Sequence, residues 1–245
     1  MSNRRLALRS ACGSLSLGSV PRVVGTLSSF PRAPWPTCEL PCDIVEVRLD
    51  LAGLRKNWLD RCRAIEAAGK PVLLTLRLKS EGGKWTRPDA DRLPLFERAL
   101  RHLSAVDVEL NSGIVSEVSS TARRLDKACI VSFHDFETTP SRARLESIIT
   151  YARHLGSVIK IATMVKSSRH IATLEGLLSD DWSVPLCVIG MGPLGTPTRL
   201  SFATAGSCLT YGYLDKPAAP GQWPAKELYA ALRKSPSAKS PVRNT

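Results

Sequence analysis

No stretch of this chain approaches the roughly 20 consecutive apolar residues that a bilayer-crossing helix needs. Residues 1–20 mix arginines with small residues and lack the continuous apolar run of an export signal. A soluble, cytoplasmic protein is therefore expected. CxxC pairs are also missing: Cys12, Cys38, Cys42, Cys62, Cys129, Cys187 and Cys208 are odd in number and scattered. That pattern argues against a disulfide framework and for a reducing compartment, with Cys129, Cys187 and Cys208 serving as small hydrophobes in strand-like runs. Histidine is scarce, and His102, His154 and His170 fall in helix-like segments without ligand spacing. No metal site follows, and no cofactor is implied. Acidic residues are outnumbered, 22 against 34 Lys and Arg, an excess that could suit nucleic acid, a membrane surface or an anionic small molecule. The basic residues are scattered without a dense block of interleaved aromatics, which argues against the first two and leaves a small-molecule substrate as the expected partner.

What the chain does have is length for one well-buried domain, 245 residues, and a repeating pattern. Strand-like runs occur at 23–27, 43–49, 71–78, 106–110, 128–133, 158–163, 184–189 and 207–213, with amphipathic segments at 58–68, 93–103, 114–125, 141–155 and 171–178. Pro140-Ser141 and Asn111-Ser112 look like helix entries. Strand followed by helix, repeated eight times, implies a parallel sheet, and this α/β pattern matches a (β/α)8 TIM barrel better than an open sheet. Residues 21–234 are assigned to that barrel. Within 1–20, Leu6-Ala7-Leu8-Arg9 and Ser14-Leu15-Ser16-Leu17 alternate around Cys12-Gly13. This reads as a short N-terminal β-hairpin able to plug the barrel bottom, with a frayed or targeting extension as the competing reading. Residues 235–245 are Ser, Pro and basic residues, expected to be disordered.

Alternation within the strands carries the functional signal. Val45, Val47 and Leu49 share one face with Glu46 and Arg48 on the other; Leu74, Leu76 and Leu78 oppose Thr75 and Arg77; Val106, Val108 and Leu110 oppose Asp107 and Glu109. Val131 and Phe133 oppose Ser132 and His134, and Ile159 and Ile161 oppose Lys160. Five consecutive strands thus aim ionisable groups inward near their C-terminal ends, where barrel enzymes keep their catalytic groups. One inward charge could be a structural ion pair, but a converging set implies a polar ligand. Lys160 sits in the apolar run Val158-Ile159-Lys160-Ile161-Ala162. Burial penalises the charged form of an amine, which is how a lysine becomes a nucleophile able to form an imine with a ketone. Taken alone, it is equally a lysine snorkelling from a strand end.

Two motifs are decoys. Gly190-Met191-Gly192-Pro193-Leu194-Gly195 satisfies GxGxxG, with Asp215 at a ribose-binding distance, but it follows a late strand and contains a proline. A flexible turn near Arg199, letting backbone approach an anion, is the better reading. Glu81-Gly82-Gly83-Lys84 lacks the first glycine and the hydroxyl residue of a phosphate loop.

Together these residues resemble the type I 3-dehydroquinate dehydratases, Schiff-base enzymes of the shikimate pathway of aromatic amino-acid biosynthesis. The matching pieces are Glu46-Val47-Arg48-Leu49-Asp50, Thr75-Leu76-Arg77 with Glu81-Gly82-Gly83, Ser132-Phe133-His134-Asp135, Lys160-Ile161-Ala162, Met191 to Gly195 with Arg199, Leu209-Thr210-Tyr211 and Ala219-Pro220-Gly221-Gln222. The resemblance implies a hydro-lyase that converts 3-dehydroquinate to 3-dehydroshikimate and assembles as a homodimer. It also implies that Lys160 forms the imine, His134 moves the proton and Glu81 orients His134. Arg199 would grip the substrate carboxylate, while Glu46, Arg48, Arg77, Gln222 and Thr26 would contact the rest of the substrate. Ala218 stands where the family commonly has serine, and Thr198 where serine precedes the arginine. Two alternatives stay open: a Schiff-base aldolase on the same barrel, and a non-catalytic homologue that binds dehydroquinate.

Overall fold

The computed structural model describes residues 7–10, 13–18, 20–30 and 40–234. The chain opens with an antiparallel hairpin, β1 (Ala7–Ser10) and β2 (Gly13–Ser16). Eight strands then run parallel: β3 (Arg22–Leu27), β4 (Ile44–Arg48), β5 (Val72–Thr75), β6 (Ala105–Glu109), β7 (Ala128–Asp135), β8 (Val158–Met164), β9 (Leu186–Met191) and β10 (Leu209–Tyr213). A two-residue strand, β11 (Trp223–Pro224), pairs with the end of β10. The connections carry α1 (Leu49–Ala52), α2 (Trp58–Ala67), α3 (Leu93–Leu100), α4 (Val115–Arg124), α5 (Arg142–Ala152), α6 (Ser168–Gly176), α7 (Thr198–Thr204) and α8 (Ala225–Lys234).

The sheet runs β11-β10-β3-β4-β5-β6-β7-β8-β9. Its edges meet where the Cys208 N–H donates to the Leu186 carbonyl at 2.9 Å and the Val188 N–H donates to Ser207 Oγ at 2.9 Å. The curled sheet with helices outside is the (β/α)8 barrel that the eight repeats imply. No helix among the described residues is long and apolar enough to cross a membrane.

Two apolar layers follow from the period-two pattern. Val45, Val47, Leu74, Val106, Val108 and Val131 point outward into a core shared with Phe96, Leu100, Val118 and Leu145 of the helices. A second cluster fills the N-terminal half of the barrel interior, where Ile44, Leu73, Ala105, Ala128 and Val158, residues at strand starts, pack with Leu8 and Leu17 from the hairpin. The barrel interior is apolar at that end, and the C-terminal end opens to a pocket lined by charged side chains. The tail 235–245, and Cys12 and Cys38, lie outside the described residues. Cys42, Cys62, Cys129, Cys187 and Cys208 are buried free thiols.

Local expectations shift in two places. The 71–78 run stops pairing after Thr75, because the chain leaves the ladder to form a 3-10 turn at Lys79–Glu81, and Leu78 keeps only an isolated bridge to Trp85. Ser141 caps α5 as expected, accepting the Arg144 N–H at 3.3 Å, whereas α4 is capped at Ile114 and Ser112 is drawn into a side-chain cluster with Asp89. Asp215, already set aside as a ribose ligand, ties strand ends together, accepting from the Ser28 N–H at 2.9 Å and Ser29 Oγ at 2.8 Å.

Glu66 shows how a buried carboxyl holds the barrel bottom. Its Oε1 accepts the Val72 N–H at 2.9 Å and the Ser104 N–H at 2.6 Å, and Oε2 accepts Ser104 Oγ at 3.0 Å, so α2 joins the starts of β5 and β6. Burial pushes the Glu66 carboxyl up despite these donors. Glu66→Ala is expected to cost about 2–4 kcal/mol by orphaning buried N–H groups, whereas Glu66→Gln, which keeps the acceptor, should stay within about 1 kcal/mol. Urea unfolding of both proteins checks this, and equal losses would contradict it.

Candidate active site

The pocket lies at the C-terminal ends of the strands. Each of the nine expected site residues lines it: Lys160, His134, Glu81, Thr26, Glu46, Arg48, Arg77, Arg199 and Gln222. Strand register explains the meeting. Ser132 of β7 pairs with Lys160 of β8, and His134 with Ala162, so the imidazole stands one inward step nearer the rim than the amine.

Lys160 is 5% exposed. Its Nζ donates to Asp107 Oδ2 at 3.0 Å and sits 4.3 Å from the centroid of the Tyr211 ring, which adds cation–π attraction. Asp107 is itself fixed, its Oδ1 accepting Arg77 Nη2 at 2.8 Å and Ser132 Oγ at 2.7 Å. Burial pushes the Asp107 carboxyl up, but Arg77 and Lys160 outweigh it and hold the group well below the usual carboxylate range. Arg77 is committed in the same way, with Nη1 reaching Ser132 Oγ at 2.7 Å and Glu109 Oε1 at 3.2 Å.

His134 Nδ1 lies 2.9 Å from Glu81 Oε2, leaving Nε2 as the ring nitrogen free to serve the pocket. Burial, reinforced by the positive charges of Arg77 and Lys160, holds His134 well below 6.5. Burial also raises Glu81 to about 7, with Arg77 opposing and Glu109 adding to the rise. Both shifts disfavour the charged forms, so the imidazole is unprotonated at neutral pH, and Nε2 accepts a proton where the Nδ1–H is donated to Glu81. Glu81 reaches this position through the 3-10 turn, and the glycines after it are required by contact. Gly82 has φ 78°, and a Cβ there would lie 2.3 Å from the Phe136 ring; a Cβ on Gly83 would lie 2.0 Å from the Arg77 carbonyl oxygen.

Opposite the amine, Glu46 accepts Thr26 Oγ1 and Thr75 Oγ1, each at 2.8 Å. Arg48 is gripped by Asp50 through Nε at 2.9 Å and Nη2 at 2.8 Å. Arg199, 3% exposed, has no ion-pair partner among the described residues and donates only to carbonyls: Gly221 at 2.9 Å, Tyr211 at 3.2 Å and Pro220 at 3.3 Å. Burial lowers it to about 10, still cationic at neutral pH. A buried guanidinium held by dipoles alone is a strong site for an anion.

The loop after β10 closes without the serine expected by resemblance. Gln222 Oε1 accepts the Ala218 N–H at 2.8 Å, while Gln222 Nε2 donates to Thr26 Oγ1 at 3.1 Å. Glycines near Arg199 serve packing between backbones: a Cβ on Gly195 would meet the Gly190 carbonyl carbon at 2.4 Å, and one on Gly221 the Gly192 oxygen at 2.8 Å. The first contact folds the turn after β9 against the end of that strand, and the second joins it to the closing loop.

Asp107 and Tyr211 are additions to the expected set. Alternation already turned Asp107 inward, but its contact with Lys160 depends on cross-strand register. Tyr211 belongs to the matching piece Leu209-Thr210-Tyr211, but the resemblance gives it no role; its hydroxyl is buried without a hydrogen-bond partner among the described residues. His102 and His154 are exposed and His170 is half-buried, all outside the pocket. Among the described residues no cluster of three His, Cys, Asp or Glu could hold a metal ion.

A parallel barrel with a buried amine, an imidazole–carboxylate pair and an arginine at its C-terminal mouth defines the class of barrel lyases. Known proteins narrow it. The family model of type I 3-dehydroquinase matches residues 32–238. The 3-dehydroquinate dehydratase of Methanocella arvoryzae is 36% identical over 213 residues, covering 87% of this chain and 96% of its own, and that of Methanococcoides burtonii is 32% identical over 228 residues, covering 90% and 97%. The crystal structure of the Geobacillus kaustophilus 3-dehydroquinate dehydratase superposes with TM-score 0.83 at 24% identity, over 95% of this chain and 97% of the other. The Aquifex aeolicus one gives 0.76 at 27%, over 86% and 97%. The chain belongs to the type I 3-dehydroquinase family. Its activity is that of a hydro-lyase, 3-dehydroquinate dehydratase.

Proposed function

We propose that this chain dehydrates 3-dehydroquinate through an imine on Lys160. One observation carries the reading: an amine and an imidazole on neighbouring strands open into the same buried pocket. Lys160 Nζ adds to the C3 ketone, and loss of water gives a protonated imine that acidifies the C2 hydrogen. His134 Nε2 removes that proton, and the C–H electron pair enters the imine to form an enamine. The pair returns as the C1–O bond breaks, and His134 delivers its proton to the departing hydroxyl. Water then hydrolyses the conjugated imine, restoring the amine and releasing 3-dehydroshikimate.

Glu81 orients the imidazole, and Asp107 balances the lysine charge before attack and the iminium charge after it. Arg199 takes the substrate carboxylate, while Glu46, Thr26, Arg48 and Gln222 receive the hydroxyl face. Arg77 acts through Asp107, to which it is already committed. Arg199→Met is expected to raise KM by about 10- to 100-fold with a smaller effect on kcat, reflecting charge-assisted bonds of about 1.5–3 kcal/mol. Arg199→Lys should recover only part, because an ammonium cannot form the planar fork. Steady-state kinetics reads both, and an unchanged KM in the methionine variant contradicts the assignment.

Incubation with dehydroquinate tests the whole reading. Growth of a conjugated enone supports it; release of two carbonyl products would mark an aldolase, and tight binding without enone a non-catalytic homologue. A homodimer and a cytoplasmic location belong to the same proposal, the first supported by resemblance and the second by the buried free thiols.

A further inference from the structure

Six side chains of alternating charge connect the outer shell of the barrel to the reactive amine. Asp89 Oδ1 accepts Arg92 Nε at 2.8 Å, and Arg92 Nη1 donates to Glu109 Oε2 at 2.6 Å. Glu109 Oε1 lies 3.2 Å from Arg77 Nη1, Arg77 Nη2 donates to Asp107 Oδ1 at 2.8 Å, and Asp107 Oδ2 accepts Lys160 Nζ at 3.0 Å. Arg92 ends the 3-10 turn Asp89–Arg92. It is 0% exposed yet does not line the pocket. Its remaining N–H groups reach the Leu76 carbonyl, Ser112 Oγ and Asp89 again, so all five donors of the fork are used. Removing one member of a buried charge network leaves its partners uncompensated, so Arg92 stabilises the fold whatever else it does. It also determines how Glu109 divides itself between two arginines, and hence how fully Arg77 is available to Asp107.

We propose that Arg92 is a positioning residue for the lysine, setting the charge balance of the Asp107–Lys160 pair through Glu109 and Arg77 without touching substrate. The inference rests on the imine reading of Lys160. Removing Arg92 leaves Glu109 with excess negative charge, drawing Arg77 from Asp107 and making Lys160 harder to deprotonate. Removing Asp89 does the reverse, because Arg92 then presents more positive charge to Glu109. Apart from Asp107 and Arg77, the amine shares the barrel interior with Glu46 and Arg48 of β4, Glu81 after β5, His134 of β7, Cys187 of β9, Arg199 of α7 and Tyr211 of β10. None of these is hydrogen-bonded to Arg92, so all are common to the wild type and the variants.

The test follows two pH profiles at low ionic strength: kcat/KM for dehydroquinate, and modification of Lys160 by methyl acetimidate scored by peptide mass, which needs no substrate. Arg92→Met should move the acid limb of both upward by about one pH unit, the order expected for one charge lost from a low-dielectric site. It should also lower kcat by about tenfold or more with KM within about threefold. Arg92→Lys should return the limb to its wild-type position, and Asp89→Asn should move it downward by less, its carboxylate being 27% exposed. Limbs unmoved by Arg92→Met, or moved in one direction by both the Arg92→Met and Asp89→Asn variants, overturn the proposal. Should Arg92→Met fail to fold, Asp89→Asn decides alone: a downward limb supports the role and a stationary one removes it. Absence of wild-type turnover would sink the functional reading but leave the acetimidate profile to judge Arg92.

Discussion

Lys160→Ala is expected to reduce kcat on the order of 10⁴-fold or more and to leave no covalent species with substrate. The reason is chemical: without a primary amine at that point, the C2 hydrogen remains that of a plain ketone, and no cationic nitrogen receives the electron pair. The fold should survive, because Asp107 keeps Arg77 and Ser132 when Lys160 is removed, so no buried carboxylate is left alone. Lys160→Met, which retains the apolar stem, controls for the cavity that alanine creates. The measurement is turnover of dehydroquinate by a variant whose thermal unfolding matches the wild type. Activity within tenfold of wild type would remove the amine from the mechanism.

His134→Ala should separate the two halves of the reaction. Elimination is expected to fall by about 10²- to 10⁴-fold, the usual worth of a positioned acid–base group, while the imine still forms and accumulates. The direction of the titrations supports the role. Burial, with Arg77 and Lys160, keeps the imidazole unprotonated, and Glu81 Oε2, 2.9 Å from Nδ1, fixes which ring nitrogen faces the pocket. Rapid-quench mass analysis of the variant with dehydroquinate should show the adduct without product. Full turnover would refute the assignment, and loss of the adduct as well would move His134 into imine formation.

The barrel was legible because each strand pairs an outward apolar face with an inward polar one, as in Val45 and Val47 against Glu46 and Arg48. The same period-two rule turned Asp107, Glu109, His134 and Lys160 inward, so most of the pocket could be read before any coordinates. What alternation does not encode is which inward groups meet. Lys160 reaches Asp107 diagonally across β7: the register sets Ser132 beside Lys160 and Glu109, with Asp107 one inward step below, and Ser132 Oγ bonds to Asp107. Arg92 stayed invisible because a 3-10 turn has no strand or helix period to mark its buried face. Gly82 and Gly83 looked like a failed phosphate loop, since their need for glycine comes from Phe136 and the Arg77 carbonyl, contacts made only in three dimensions. The resemblance supplied Glu81 and the full set of roles; local pattern alone gave a charged pocket with Lys160 as a candidate imine-forming amine.

The mechanism stands on a covalent bond between Lys160 and a substrate carbon. Wild-type protein incubated with dehydroquinate and borohydride, digested and sequenced by mass spectrometry, should carry a reduced substrate adduct on the peptide containing Lys160 and on no other lysine. Turnover under the same conditions with Lys160 unmodified would exclude that bond.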